Sequence, residues 1–499
     1  MKSAPKSLYP LQGRLLLLGV FFGVFTTVAF KSLAIGFATL VIFCIAGMTW
    51  RRDMPPILPF CLAFQWISAV AGTMFFRIYG YFPGGGNTAG LELMIWMSSL
   101  GFLALGIGVR AGFNTFAKSL SRLLAQPTPK IDPKRLFLLI LGLYLVSFVF
   151  DVAPKSIWFG GAQIIYNLLD FRFVFLVMMG LVAINDRSAK SYLWMALLVV
   201  VMVQLLTGFS RFKEVFFVIL VIALFQWRPW EGSKYQRSLN SKIVMLGVPV
   251  STFILAIGLL WTGGLKQAWR DVVWRSGASQ SPLENLGQFS SVLGEAVAKF
   301  ELGYAVDELV QRLASGSMYF SYVLRNIPET TPFEKGALLY RAIVNATVPR
   351  SLFSEKPDLG GDSWLVTKYT GLTVAGDESG ASIGLGYMPE FFIDFGVAGI
   401  LALSFAYAFV MIVLMRILAA SSKDKFLFIG MSYSLLSAFF MTFDASFAKI
   451  LAGAILRTII FAGLAGVVYP TVFAWLTRTK NGRHMPSFMV RPQETRWRQ

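Results

Sequence analysis

Residues 388–415 read MPEFFIDFGVAGILALSFAYAFVMIVLM, and Glu390 and Asp394 are the only charged residues in this run. A helix of about 20 apolar residues crosses the hydrocarbon core of a bilayer, because each residue adds about 1.5 Å. The run exceeds that length, so it has room for an interfacial turn before its membrane part. It therefore predicts a transmembrane helix with two carboxylates at its entrance.

Eleven more apolar runs of this kind occur along the chain. They cover residues 14–30, 33–50, 57–76, 91–109, 136–153, 171–184, 191–207, 212–227, 243–262, 426–443 and 450–475. The sequence therefore predicts an all-α polytopic membrane protein with about 12 transmembrane helices. The first run follows Lys2, Lys6 and Arg14 and lacks a small-residue cleavage site, so we expect an uncleaved span.

The composition supports the same class of protein. Of 499 residues, 56% are hydrophobic and 14% are charged, whereas about 25% of residues are charged in soluble domains. These proportions exclude a soluble globular protein, a disordered chain and a collagen. The two cysteines, Cys44 and Cys61, both lie in apolar runs, which indicates small buried residues rather than a disulfide framework or a metal cluster.

The distribution of charge predicts the orientation of the spans. With the N-terminus inside, the inner segments hold 26 of the 45 Lys and Arg residues and only 6 of the 26 Asp and Glu residues. Such a bias is typical of cytoplasmic loops. Both termini are therefore expected in the cytoplasm. The net charge of +19 is a topology signal and a means of holding anionic membrane lipids, and it implies no nucleic acid partner.

Four regions follow from this topology. Residues 1–262 hold spans 1–9, residues 263–387 form one large outer loop, residues 388–475 hold spans 10–12, and residues 476–499 form a basic inner tail. A loop of this length is expected to be functional. Its apolar residues recur at helical spacing around 304–319 and 333–348. Helices against the outer membrane face and a small self-contained cap both fit this pattern.

Basic residues at two outer positions are candidates for binding phosphate. Arg211 and Lys213 follow Gly208 in a tight turn, where they fit either a phosphate site or cations that anchor the membrane interface. Arg350 and Lys356 lie between two prolines late in the large loop, after Arg341, and the alternative there is a solvated turn. Arg457 lies about two turns into the last span and is expected to face the protein interior with a partner.

Glu390 and Asp394 are the candidate catalytic acids. Pro389 fits a first helical turn, which places these two carboxylates four residues apart on one face of the helix. They fit a general base beside the lipid surface, and equally a stabilising charge at a helix N-terminus. Asp377 and Glu378, in a Gly/Ser-rich stretch, are a rival pair.

Some chemistries lack their residues in this sequence. The single histidine, His484, lies in the inner tail, so no outer histidine is present to act as a base, nucleophile or metal ligand. A phosphate-binding glycine loop followed by Lys-Ser/Thr is missing too, so ATP is not implied. No cofactor and no metal are therefore expected.

The arrangement resembles the bacterial oligosaccharide repeat-unit polymerases, the O-antigen polymerase (Wzy-type) family. The resemblance covers mainly residues 207–400 and rests on a large late outer loop and three short motifs. These motifs are Gly208-x-Ser210-Arg211, then Pro349-Arg350 with Lys356-Pro357, and then Gly386-x3-Glu390-x4-Phe395-Gly396. Phe391 and Phe392 replace a tyrosine expected near Glu390.

The resemblance implies a metal-independent glycosyltransferase at the outer, periplasmic face of the bacterial inner membrane. Such an enzyme joins repeat units carried on undecaprenyl diphosphate and releases the lipid diphosphate. Glu390 or Asp394 would accept a hydroxyl proton, and the diphosphate would be held by basic residues, namely Arg211, Lys213, Arg341, Arg350, Lys356 and Arg457. Aromatic side chains of the loop, namely Tyr319, Tyr322, Trp364 and Tyr369, would stack on sugars. A chain-length regulator and a flippase are implied as partners.

Three other functions stay open at this point. A lipid-linked oligosaccharide flippase or exporter would expose charges along a cavity within the spans, whereas the charges here cluster at the outer face. A ligase of the O-antigen type would move the glycan to another acceptor. A non-catalytic assembly partner would not need the arginines at all.

Overall fold

The computed structural model describes residues 12–51, 54, 56–79, 89–152, 162–186, 188–206, 256, 258–269, 282–347, 362–374 and 383–477. Within these ranges the chain is all-helical, with 85% of residues in helices and no strand. The structure therefore agrees with the predicted all-α class.

The first half of the chain contains helices α1 to α10. Their bounds are α1 Gln12–Phe30, α2 Leu33–Thr49, α3 Ile57–Trp66, α4 Gly72–Tyr79, α5 Ala89–Asn114, α6 Ala117–Leu124, α7 Pro133–Val152, α8 Ala162–Leu169, α9 Phe171–Asn185 and α10 Ala189–Leu206. A π-helical segment, Ile67–Ala71, joins α3 to α4.

The second half begins with a π-helical segment at Trp261–Leu265 and continues with helices α11 to α19. Their bounds are α11 Lys266–Trp269, α12 Pro282–Ala298, α13 Leu302–Asn326, α14 Ala337–Thr347, α15 Asp362–Thr370, α16 Tyr387–Ser421, α17 Lys425–Phe439, α18 Phe447–Val467 and α19 Tyr469–Thr477.

Seven helical stretches in the described ranges are long and apolar enough to cross a membrane. They are Gly13–Phe30, Ile57–Ile78, Gly90–Asn114, Pro133–Phe150, Ile164–Ile184, Tyr387–Ser421 and Phe447–Val467, and shorter apolar helices cover Leu33–Thr49, Ala189–Gln204 and Lys425–Phe439. Ten of the predicted spans coincide with these helices. The predicted spans at 212–227 and, apart from its last residues, 243–262 lie outside the described residues. The count of twelve therefore stays a prediction.

The core of the bundle forms where α16 packs along α5, which also packs against α2, while α17 packs against α9. Buried side chains such as Phe102, Met388, Ile400 and Met411 fill this core. The outward-facing side of α1 is exposed over most of its length, with apolar residues such as Leu17, Phe21 and Val28. An apolar exposed face is what lipid requires, so it agrees with membrane insertion.

Helix α13 of the large loop packs directly against the predicted spans. It contacts α4, α5 and the π-helical segment Ile67–Ala71. Ala314 approaches the backbone of Gly72 so closely that a Cβ there would lie 2.6 Å from that of Ala314, and Thr73 Oγ1 donates to Ser317 Oγ at 2.9 Å. Helix α13 therefore packs on helices of two predicted spans, 57–76 and 91–109.

Helix α16 is broken at Gly396. This residue has φ 64° and ψ −145°, a combination that essentially only glycine adopts, and a Cβ on it would lie 3.2 Å from Cζ of Phe333. The break separates a buried first part, with Glu390 and Asp394, from the long apolar part. The interfacial turn predicted at the start of this span stays a prediction.

Candidate active site

Asp394 fixes the position of α14 on α16. Its Oδ1 atom accepts from the backbone N–H of Leu338 at 3.1 Å, and its Oδ2 atom accepts from that of Leu339 at 2.8 Å. These N–H groups belong to the first turn of α14, where helix donors lack intrahelical partners. The backbone N–H of Lys335 also donates to the Asp394 carbonyl, at 3.1 Å. Asp394 is buried with both carboxylate oxygens engaged, which suits a positioning role.

Glu390 has one carboxylate oxygen engaged and one free. Its Oε2 atom accepts from the backbone N–H of Phe447, the first residue of α18, at 3.0 Å. Its Oε1 atom is buried and has no hydrogen-bond partner among the described residues. The side chain is only 4% exposed. A buried acceptor without a partner is costly, so the free oxygen requires an explanation, and a bound hydroxyl group would provide it.

Two hydrogen bonds and one contact between aromatic rings hold the start of α16 in place. Tyr387 Oη donates to Gln65 Oε1 at 2.5 Å, and Gln65 Nε2 donates to the carbonyl of Phe440, also at 2.5 Å. The Tyr387 ring packs against Tyr407 with centroids 5.0 Å apart. Glu390, one turn further along, is therefore carried by a rigid buried helix rather than by a loop.

An ion pair lies next to Glu390. Lys449 Nζ, in the first turn of α18, donates to Oδ2 of Asp362, the first residue of α15, at 2.7 Å. The Asp362 side chain is buried, whereas the Lys449 side chain is 51% exposed. Half of this pair is thus accessible to a ligand in the neighbouring cleft.

The carboxylate of Glu390 and this ion pair border an open cleft. It is shallow and partly open to solvent, and its lining comprises Leu338, Arg341, Asp362, Leu365, Glu390, Ser446 and Ala448. Helices α14, α15, α16 and α18 all contribute to it. The cleft is therefore the point at which the large loop meets the ends of two apolar helices.

Charged and aromatic side chains of α14 and α15 lie at the side of the cleft. Lys368 Nζ and Tyr369 Oη each donate to Oε1 of Glu334 at 2.7 Å. These bonds, with that of Lys368 first, lower the pKa of Glu334 below its usual 4.5. Burial and the neighbouring Glu334 raise the pKa of Tyr369. Trp364 is exposed, with Arg341 and Lys368 near its ring.

Arg457 lies in a different place from the cleft. Its Nε donates to Oδ1 of Asn167 at 3.1 Å, one Nη donates to the carbonyl of Ser434 at 3.1 Å, and the other binds Asp170. Arg172, also buried, lies 3.9 Å from Asp170. Arg457 therefore faces the interior with a partner, as its position in the sequence requires, and its bonds to protein groups favour a structural role over diphosphate binding.

Several predicted site residues lie outside the described residues. They are Arg211, Lys213, Arg350 and Lys356, together with the rival acids Asp377 and Glu378. Their roles stay predictions. Of the eight predicted site residues, the structure brings Glu390, Asp394 and Arg341 together around the cleft and places Arg457 apart from them. Among the predicted sugar-stacking residues, Trp364 is exposed there, whereas Tyr369 is buried and bonded to Glu334.

Asp362 and Lys449 are the residues that sequence reasoning missed in this role. The two residues are 87 positions apart and join only through the fold. The sequence signal for Asp362 is weak, since an acid at the start of a short helix usually serves the helix itself. Among the described residues, no group of three or more His, Cys, Asp or Glu side chains could hold a metal ion.

Comparison with known proteins gives no family for the chain. It matches no known protein family, no curated protein and no solved structure.

Proposed function

We propose that the protein is a polysaccharide polymerase that joins undecaprenyl-diphosphate-linked oligosaccharide repeat units and releases lipid diphosphate. The observation that carries the proposal is the buried Oε1 atom of Glu390, which has no hydrogen-bond partner among the described residues. Its side chain lines the cleft together with Arg341 and lies near Lys449. A carboxylate with one oxygen fixed and the other free suits a general base. The short sequence motifs that resemble O-antigen polymerases support the same reaction.

The proposed topology places this cleft where such substrates are found. We propose twelve spans with both termini in the cytoplasm of a bacterial cell and the loop 263–387 in the periplasm. The bias of Lys and Arg toward the inner segments supports this orientation. Glu390 and Phe447 then lie at the outer ends of spans 10 and 12, level with the headgroups that carry the diphosphate.

In the proposed reaction, a hydroxyl of one lipid-linked repeat unit attacks the anomeric carbon of the chain on the other lipid. The new glycosidic bond forms as the bond to diphosphate breaks, and Glu390 takes the hydroxyl proton. The lipid diphosphate leaves with the electron pair of the broken bond. Arg211, Lys213, Arg350 and Lys356 are proposed to offset the charge that builds on the leaving group. The substrate carries the energy, so no nucleotide enters the step.

The described side chains support different proposed roles for the residues around the cleft. Glu390 is the proposed base. Asp394 holds α14, and thereby Arg341, against α16 through the bonds to Leu338 and Leu339. Asp362, which lines the cleft, holds Lys449 through an ion pair at 2.7 Å. A chain-length regulator protein and a flippase are proposed as partners that supply the substrate and limit the product.

The test is a reconstituted reaction. Purified protein in lipid nanodiscs receives a polyprenyl-diphosphate-linked repeat unit, and glycan length and released lipid diphosphate are measured together. A polymerase lengthens the glycan and releases one lipid diphosphate per bond formed. Glu390→Gln should stop both, whereas Glu329→Gln, which changes an exposed acid of the same loop, should stop neither.

The same reaction separates the alternative functions. Movement of the lipid-linked substrate across the bilayer without lengthening would identify an exporter and overturn the proposal. Transfer of the glycan only to an added lipid A-core acceptor would identify a ligase. No lengthening of the glycan, no movement of the substrate and no transfer to another acceptor would leave an assembly partner as the better assignment.

A further inference from the structure

Arg341 and Trp364 form a surface at the side of the cleft. The proposed role of Glu390 as a base does not explain what this surface does. The Trp364 side chain is 44% exposed, which is unusual for an indole, and it lies on α15 at the side of the cleft. The Arg341 guanidinium lies 5.8 Å from the centroid of this ring, and Lys368 Nζ lies 5.4 Å from it. Two cations from different helices therefore lie over the ring of a partly exposed indole.

The two cations differ in how their charge is balanced. Lys368 is paired with Glu334 at 2.7 Å and also contacts Tyr369. Arg341 is exposed and makes no ion pair within the described ranges, although it belongs to the cleft lining. Asp362 and Lys449, the other charged pair of the cleft, balance each other. Arg341 is therefore the cation at this surface that has no ion pair among the described residues, although its charge also acts on Glu334.

An exposed indole beside a guanidinium that has no ion pair among the described residues suits the binding of an acidic sugar. The apolar face of a sugar ring stacks on an aromatic ring, and a carboxylate accepts two parallel hydrogen bonds from a guanidinium. A neutral sugar would use the indole and leave the guanidinium without a partner. A bare phosphate would use the guanidinium and leave the indole exposed.

We propose that Arg341 and Trp364 form a subsite for a uronic acid residue of the glycan. The inference rests on the proposed function for its premise that the ligand is a glycan, and it adds the chemical class of one sugar. Lys368, held by Glu334, supports the carboxylate end of the subsite without being its main partner. The subsite shares the cleft with Glu390, so the acidic sugar belongs to the repeat unit that lies next to the base.

The test measures binding without any lipid-linked donor. Full-length protein in nanodiscs of neutral phosphatidylcholine is titrated with glucuronate-terminated and galacturonate-terminated trisaccharides, with their carboxyl-reduced counterparts, and with inorganic pyrophosphate. Saturation-transfer NMR reports each dissociation constant. We expect at least one acidic trisaccharide to bind about tenfold or more tightly than its reduced counterpart, because a charge-assisted bidentate contact is lost on reduction.

Variants assign the contacts. Arg341→Gln should abolish the preference for the acidic trisaccharide, and Trp364→Ala should weaken the acidic and reduced trisaccharides alike. Trp364→Phe keeps an aromatic ring and should retain most of the binding. Arg325→Gln, which removes an exposed arginine at the end of α13, is the matched control and should change nothing.

Three results would overturn the proposal. They are equal binding of acidic and reduced trisaccharides, binding of pyrophosphate alone that depends on Arg341 but not on Trp364, and no binding of any probe. These results are distinct from a failure of the proposed function. If the acidic trisaccharide binds as expected while the reconstituted reaction makes no polymer, only the polymerase assignment falls.

Discussion

The Oε2 atom of Glu390 lies 3.0 Å from the backbone nitrogen of Phe447, so one side chain joins the first turns of α16 and α18. This bond occupies one carboxylate oxygen and leaves the other, Oε1, without a hydrogen-bond partner among the described residues. The same bond makes the side chain useful for dissecting function from stability, because an amide oxygen can replace the accepting atom without replacing the base.

Glu390→Gln should separate the two roles of this side chain. The glutamine oxygen can still accept from Phe447, so the melting temperature should stay close to that of the wild type. Polymer formation should fall about 100- to 10,000-fold, the range associated with loss of a general base. Gel analysis of glycan length and thermal unfolding in detergent measure the two effects. An active Glu390→Gln protein with an inactive Asp377→Asn protein would move the base to Asp377.

Asp394→Ala should act through stability. The change leaves the N–H groups of Leu338 and Leu339 without their acceptors, and each bond to a charged group contributes about 1.5–3 kcal/mol. We expect a clearly lower melting temperature and loss of activity together, with Asp394→Asn intermediate in both. An Asp394→Ala protein with wild-type stability and no activity would instead place Asp394 among the catalytic groups.

Gly396→Ala should destabilise the protein by about 1–3 kcal/mol, because alanine cannot adopt this backbone conformation without strain. Gly142→Ala is the control, since Gly142 lies inside α7 and a Cβ there meets nothing within 4 Å. The control should be neutral or slightly stabilising. Thermal unfolding compares the two. Equal losses of thermal stability at both positions would show that the backbone conformation of Gly396 is not the cause of the loss.

Arg457→Leu should reduce folded yield and thermal stability, by about 1.5–3 kcal/mol, because it removes the buried bonds of a charged group to Asn167 and Ser434 and leaves Arg172 as the remaining cation beside Asp170. Size-exclusion yield and thermal unfolding measure this. A stable Arg457→Leu protein that no longer binds lipid diphosphate would restore Arg457 to the binding residues.

The melting temperature should fall at acid pH because of Glu334. Because the bonds from Lys368 and Tyr369 lower the pKa of Glu334 in the folded protein, its contribution is fully present above the usual value of 4.5 and is lost as the pH falls through the lowered pKa. Between about pH 5 and pH 3, the melting temperature should fall more in the wild type than in Glu334→Gln. Parallel pH profiles for the two proteins would contradict this assignment.

The sequence predicted much of the scaffold and part of the site, for identifiable physical reasons. Long apolar runs such as 388–415 predict helices from neighbouring residues alone. Gly386, Glu390 and Gly396 also lie close enough in sequence to form one motif. The contact between Asp362 and Lys449 has no local signal, because it depends on how α15 meets α18. Likewise, periodicity showed that residues 304–319 are helical but not that Ala314 packs on Gly72.

The contact of α13 with α4 also bears on how the protein is made. Thr73 and its partner Ser317 are separated by 244 positions, so the third span leaves the ribosome long before the helix that covers it. During synthesis the surface around Gly72 therefore stays without its partner until α13 has been made and packs onto it. The membrane domain is thus complete only after α13 has been made and has packed on α4.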